Sequence, residues 1–247
     1  WYDDTMLAGV PAANFYASAP LVSATLDAND GIRHWRIEEG ASEHLLEGMV
    51  FGGAGTLEAP AQFLICDWLL YYPFLDGDST DAQDLTNTVS LPRYTDGVGT
   101  RAFIVAQGTG TGTGSYTMSY TNQDGVSGRT ATGSTVIPTG AGFILSCSSG
   151  TSSNRTDPFL HMQAGDTGIR SIEQFTWTSA PGGISALVIV KPLAPLLYAE
   201  IGTASEQVFW PRFPRVESGA YLGVLRQQTG ATPNGRTYTG LLTTIRS

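Results

Sequence analysis

The chain has 247 residues with 30 Gly and 13 Pro, only 14% of them charged, and a formal net charge of −9. That length can bury a sizeable core in one large domain or two small ones, and a composition rich in Gly, Ser and Thr speaks against long helices built from Ala, Glu, Lys and Leu. Twelve Arg and a single Lys, Lys191, stand against 22 acidic residues, which excludes a phosphate-tracking surface for nucleic acid or an anionic membrane.

In chain order, the first sixty residues mix Gly, Pro and Ala with isolated aromatics and show no sustained period. They predict an extended arm with short strands, for example over 31–38 (GIRHWRIE). The opening on Trp1 rather than Met is read as the trace of a removed leader or disordered start. Residues 61–72 (AQFLICDWLLYY) predict a short helix, because Phe63, Leu64, Trp68, Leu69 and Tyr72 recur at helical spacing and Pro73 can end it. The helix leads into an acidic loop with Asp76, Asp78, Asp81 and Asp84, where side chains can accept turn hydrogen bonds or cap a short helix at 81–85.

Strands follow: residues 100–107 (TRAFIVAQ), a Gly/Thr tip at 108–115, and 115–121 (SYTMSYT), turned back by Asn122-Gln123-Asp124-Gly125 into 126–132 as a hairpin. Further strands are expected over 142–147, 169–179 (IRSIEQFTWTS) and 184–191 (ISALVIVK). Trp177 is placed in the core, and unbroken Leu187-Val188-Ile189-Val190 reads as a strand buried on both faces. Strands about every ten residues, with Gly and Pro between, describe an all-β fold, a β-sandwich or jelly roll with extended N- and C-terminal arms. The expected organisation is an arm over 1–60 and a single β-sandwich domain over 61–247, ending in an aromatic, Pro-rich segment and a Gly/Thr-rich tail.

Cys66 and Cys147 lie far apart in apolar stretches and read as two buried free thiols, with a disulfide the lesser alternative. No CxxC or Cys/His cluster is present, so zinc is excluded. No apolar run approaches the length of a membrane span, and no signal peptide is visible. His34, His44 and His161 stand on three separate segments and read as surface or hydrogen-bonded structural residues. Asn154-Arg155-Thr156 is a formal glycosylation sequon without a secretory signal to make it meaningful.

The acidic loop tests an enzyme reading. Asp76-Gly77-Asp78-Ser79-Thr80 after an apolar run matches the D-x-D-x-T pattern of haloacid-dehalogenase-like phosphatases, where one carboxylate attacks phosphorus, the other protonates the leaving oxygen and both help hold Mg²⁺. That chemistry also needs a later Lys followed by acidic metal ligands. Here Lys191 comes after the sole acidic candidate, Gly165-Asp166-Thr167-Gly168. The expectation is no phosphatase, no catalytic residue, no metal and no cofactor. A calcium loop is the intermediate alternative, weakened by Asp81 where an EF-hand loop needs Gly and by the lack of Glu at the twelfth position.

Residues 69–107, LLYYPFLDGDSTDAQDLTNTVSLPRYTDGVGTRAFIVAQ, resemble uncharacterised structural proteins of tailed bacteriophages, in which a D-G-D-S-T-D loop and an L-P-R-Y-x-D-G turn recur together. Residues 211–225, PRFPRVESGAYLGVL, have the same character. The resemblance implies a virion component assembled in the host cytoplasm, expected as a capsid decoration or cement protein on the major capsid protein. A tail, baseplate or fibre-associated module, or a carbohydrate-binding β-sandwich, is the alternative. Aromatic and Arg residues near both ends lack a folding period and are the expected interaction surface: Trp1, Tyr2, Phe15, Tyr16, Trp210, Arg212, Phe213 and Arg215, with Tyr221 among the apolar residues a neighbour would cover. A homo-oligomer follows, expected as a trimer because capsid lattices offer three-fold positions; no nucleic acid or membrane is expected as a partner.

Overall fold

The computed structural model describes residues 2–3, 19–26, 43–52, 61–107, 113–136, 144, 146–148, 158–198, 204–209, 213–228 and 238–246. All regular elements among them are strands: β1 (Tyr2–Asp3), β2 (Ala24–Thr25), β3 (Glu43–Gly52), β4 (Ala61–Asp76) and β5 (Gln83–Asp84). Next come β6 (Arg101–Ala106), β7 (Thr113–Asn122), β8 (Arg129–Val136), β9 (Ser146–Ser148) and β10 (Ile169–Ser179). The chain continues with β11 (Ile184–Tyr198), β12 (Ala204–Val208), β13 (Arg215–Val216), β14 (Tyr221–Gln228) and β15 (Tyr238–Arg246). The all-β expectation holds.

The helix expected over 61–72 is corrected. Those residues open the sixteen-residue β4, in which Ile65 to Pro73 are all buried. A strand covered on both faces is apolar at nearly every position, Asp67 being the exception here, so its sequence loses the two-residue period and mimics a buried helix. The short helix considered at 81–85 is corrected as well, since Gln83–Asp84 pair with Gln174 and Phe175 as β5. Residues 238–246, expected as part of a Gly/Thr-rich tail, form β15. Residues 31–38 and most of the expected N-terminal arm lie outside the described residues.

The chain divides into two compact units: residues 1, 13–26 and 68–191, and residues 2–12, 27–67 and 192–247. In the first, a five-stranded sheet has the order β5-β10-β7-β8-β9. β7 alternates strictly, with Tyr116, Met118 and Tyr120 inward, and its hairpin with β8 runs from Tyr120↔Arg129 to Thr113↔Val136. Asn122 Oδ1 accepts the N–H groups of Asp124 and Val126, both at 3.0 Å, and Gly125 supplies the positive φ of 78° that the turn requires. β6 pairs antiparallel with β11 from Ser185↔Ala106 to Val190↔Arg101, and Leu187 to Val190 are fully buried.

Side chains of β4, β6 and β11 join those of β7 and β10 in one hydrophobic core. Within it, Phe175 stacks on Tyr116 at 5.3 Å and meets Trp177 edge-on at 4.9 Å. Trp177 is therefore a core residue, as expected. Cys66 is a free, fully buried thiol whose pKa is pushed up by burial and then by neighbouring Asp67.

In the second unit β3 is the spine. β15 pairs along its whole length, from Tyr238↔Gly52 to Arg246↔Glu43, while β12 and β13 share its other edge. A second core gathers Phe63 and Ile65 with Leu196, Val216 and Leu222. Gly48 packs closely there: a Cβ at this position would meet Leu196 Cδ2 at 2.5 Å, so the Leu196 side chain would have to shift.

Candidate functional site

The acidic loop is built as a connection between strand ends. Asp76 Oδ1 accepts the Asp78 N–H at 2.9 Å, and Ser79 Oγ accepts the Asp81 N–H at 3.1 Å, so two side chains close local turns. Gln83 imitates a strand partner: its Oε1 accepts the Asp76 N–H and its Nε2 donates to the Asp76 carbonyl, both at 2.8 Å. Gly77 exchanges backbone hydrogen bonds with the Gly182-Gly183 turn at 2.7 and 2.8 Å, and a Cβ at Gly77 would collide with the Gly182 carbonyl oxygen. Asp84 Oδ1 accepts from Gln174 Nε2 at 2.7 Å. Among the described residues no group of three or more His, Cys, Asp or Glu converges as metal ligands would.

Lys191 Nζ donates to the Val98 carbonyl at 2.6 Å and lies 5.3 Å from the Tyr94 ring centroid. Burial lowers its pKa, with Arg101 adding to the effect and Asp96 opposing it. Its ammonium is thus engaged with a loop of the first unit.

A second polar cluster surrounds Asp166. Arg129 grips this carboxylate with Nε and Nη2 at 3.0 and 3.1 Å, Asn122 Nδ2 donates at 2.8 Å, and the Tyr120 hydroxyl donates at 2.5 Å while accepting the Gln163 N–H at 2.7 Å. Burial pushes the Asp166 pKa up, yet the hydrogen bonds from Arg129, Tyr120 and Asn122 outweigh it and hold the carboxyl below its ordinary value. Tyr120 is pushed up to about 12 by burial and by its bond to Asp166. Beside the cluster, Arg101, His161 and Asp166 help line an open cavity of about 280 Å³. Arg101 already donates to the Thr167 carbonyl at 3.2 Å. Every group of the Asp166 cluster has a protein partner, so the arrangement fastens the 162–168 loop to the β7–β8 hairpin.

Of the expected interaction residues, Tyr2 lies in β1 opposite Arg226 of β14. Phe213 is half-buried against the second core, and Arg215 is exposed on β13 opposite His44, 3.2 Å from Glu217. Tyr221 is fully buried by its own chain, a correction to its assignment as a residue needing a neighbour. Trp1, Phe15, Tyr16, Trp210 and Arg212 lie outside the described residues.

The sequence reasoning missed an exposed apolar set on the four-stranded sheet: Leu241, Val208 and Ile245, which are 59%, 51% and 40% exposed. Their segments, SEQV and TGLLTTIR, alternate poorly in isolation, so no local signal marked this face. Comparison with protein-family models, with curated proteins and with solved structures finds no match.

Proposed function

We propose that the chain is a structural protein of a tailed-bacteriophage virion, a capsid decoration protein that acts as a homo-oligomer and stabilises a lattice of major capsid protein. In this reading the first unit is a β-sandwich, and no residue is assigned to catalysis. The observation that carries it is the exposed apolar set on the sheet of the second unit, since a soluble protein that keeps such side chains on a regular β face has a surface suited to a protein neighbour. The phage-like residues 69–107 supply the kind of assembly. The acidic loop within them is occupied with turn hydrogen bonds, which suits a scaffold.

Co-sedimentation with empty coat shells is the test. Saturable binding that raises the shells' resistance to heat is expected, and a chain that stays in the supernatant at all shell concentrations refutes the decoration role. A glycan-binding role in a tail or fibre draws on a different observation. The outer face of β7 presents Ser115, Thr117, Ser119 and Thr121, and Thr117 lies opposite Thr132 and Thr176, which makes a row of hydroxyls. Retention on host-surface polysaccharide without shell binding would favour that reading.

A further inference from the structure

We propose that the outer face of the four-stranded sheet formed by β3, β12, β13 and β15 is a two-fold contact between two copies of this chain. The proposal rests on the homo-oligomer reading above and specifies its symmetry, two-fold where the sequence led to three.

The direction of each side chain follows from the core. Gly48 faces Leu196, its partner Leu242 packs against the same core, and Val216 is fully buried in it. Alternation then turns Glu47 and Met49 outward, and with them the residues directly opposite: Val208 and Thr243 beside Glu47, Glu206 and Leu241 beside Met49. Beyond the irregularity between Thr243 and Thr244, Ile245 and Arg215 flank His44 on the same outer face. The exposure of Leu241, Val208, Ile245 and Arg215 agrees with this assignment.

Three rows result, and their order is self-complementary. Arg215 and Ile245 occupy one end row, while Glu206 and Leu241 occupy the other in the same columns. A two-fold axis lying in the face and crossing the strands at the middle row exchanges the end rows and preserves the columns. It therefore sets Arg215 over Glu206 of the second copy and Ile245 over its Leu241, and brings Val208 against its own equivalent. That is the isologous pattern of a cyclic dimer. Arg215 is already 3.2 Å from Glu217 of its own chain, so an anionic lipid surface would gain little at that end row and be opposed by Glu47 and Glu206 on the rest of the face. One feature resists the contact: Glu47, on the axis, faces a second Glu47, so a carboxylate repulsion is built into the centre.

Sedimentation equilibrium on the full chain tests this with substitutions confined to exposed side chains, each checked for an unchanged circular dichroism spectrum. The wild type is expected as a dimer, and Leu241→Asp as a monomer. Glu206→Arg and Arg215→Glu should each weaken dimerisation about tenfold or more, and the double variant Glu206→Arg/Arg215→Glu should return to within about threefold of wild type. Glu47→Gln should tighten it. A wild type that stays monomeric at about 0.1 mM, or an oligomer indifferent to both charge reversals, overturns the contact. Coat-shell binding, measured in parallel, separates the two ideas: a monomer that binds shells sinks the dimer and spares the decoration role, whereas a dimer with this mutational pattern that ignores shells does the reverse.

Discussion

Asp166 couples the packing of the first unit to pH. Its side chain is 3% exposed and is bonded to Arg129, Tyr120 and Asn122, and its folded pKa lies below its ordinary value. A carboxyl whose pKa falls on folding contributes stability that is present above the unfolded value, near 4, and is lost as pH drops through the folded value. Wild-type stability should therefore decline below about pH 4, whereas Asp166→Asn should be less stable at pH 7 and show a flatter acid limb; urea titrations at pH 7 and pH 3 compare the two. Tyr120 has the opposite sign. Its pKa is raised to about 12, so its contribution is complete below the ordinary phenol value near 10 and disappears between there and about 12. Gly168 is a steric counterpart, because a Cβ there would overlap the Gly97 carbonyl oxygen. Gly168→Ala should cost about 3 kcal/mol or more, since backbone rather than a flexible side chain must move, and thermal unfolding reads the loss.

Among the elements, legibility followed how many faces are covered and how regularly they alternate. β10 spans 169–179 as expected, and the buried run of β11 was visible as Leu187 to Val190, because flanking Gly and Pro bounded short β-branched segments. β4 was misread because burial on both faces erases its period. β3, β12 and β15 were not assigned: HLLEGMVF, SEQV and TGLLTTIR alternate poorly in isolation, and their pairing with one another is a long-range fact that no local window contains. The expected interaction residues were read from aromatic and Arg residues near the ends; they include Arg215, which is exposed on β13, but not the exposed Leu241 and Val208, which no aromatic signal marks. At the acidic loop, the structure gives Asp76 an acceptor role that an amide oxygen fills equally well. Asp76→Asn should leave stability within about 0.5 kcal/mol of wild type, while Asp76→Ala should lose roughly 1 kcal/mol with the turn hydrogen bond. Neither should alter background hydrolysis of an activated phosphate ester, and a turnover abolished by Asp76→Asn would restore the enzyme reading.

For the whole molecule, net charge and local pairing act in opposite directions. Each copy carries a formal charge of −9, so two copies approaching in dilute buffer repel one another at distances well beyond any contact. Salt shortens that repulsion: the screening length falls from about 30 Å at 0.01 M to about 8 Å at 0.15 M. In the proposed dimer an Arg215–Glu206 pair closed between two sheet faces would be screened far less, because its charges would lie within contact distance and partly out of water, and burial of Leu241, Ile245 and Val208 would not be weakened by salt. Self-association should therefore tighten as NaCl rises from 0.01 to 0.15 M, by roughly threefold to tenfold, and then level off as the remaining repulsion vanishes. The Glu206→Arg/Arg215→Glu variant has the same net charge and should follow the same curve, whereas an assembly held mainly by salt-sensitive surface charges would loosen steadily over that range. Sedimentation velocity across a salt series distinguishes the two slopes, and a steady loosening would mean that the apolar residues of the four-stranded sheet are not what holds the copies together.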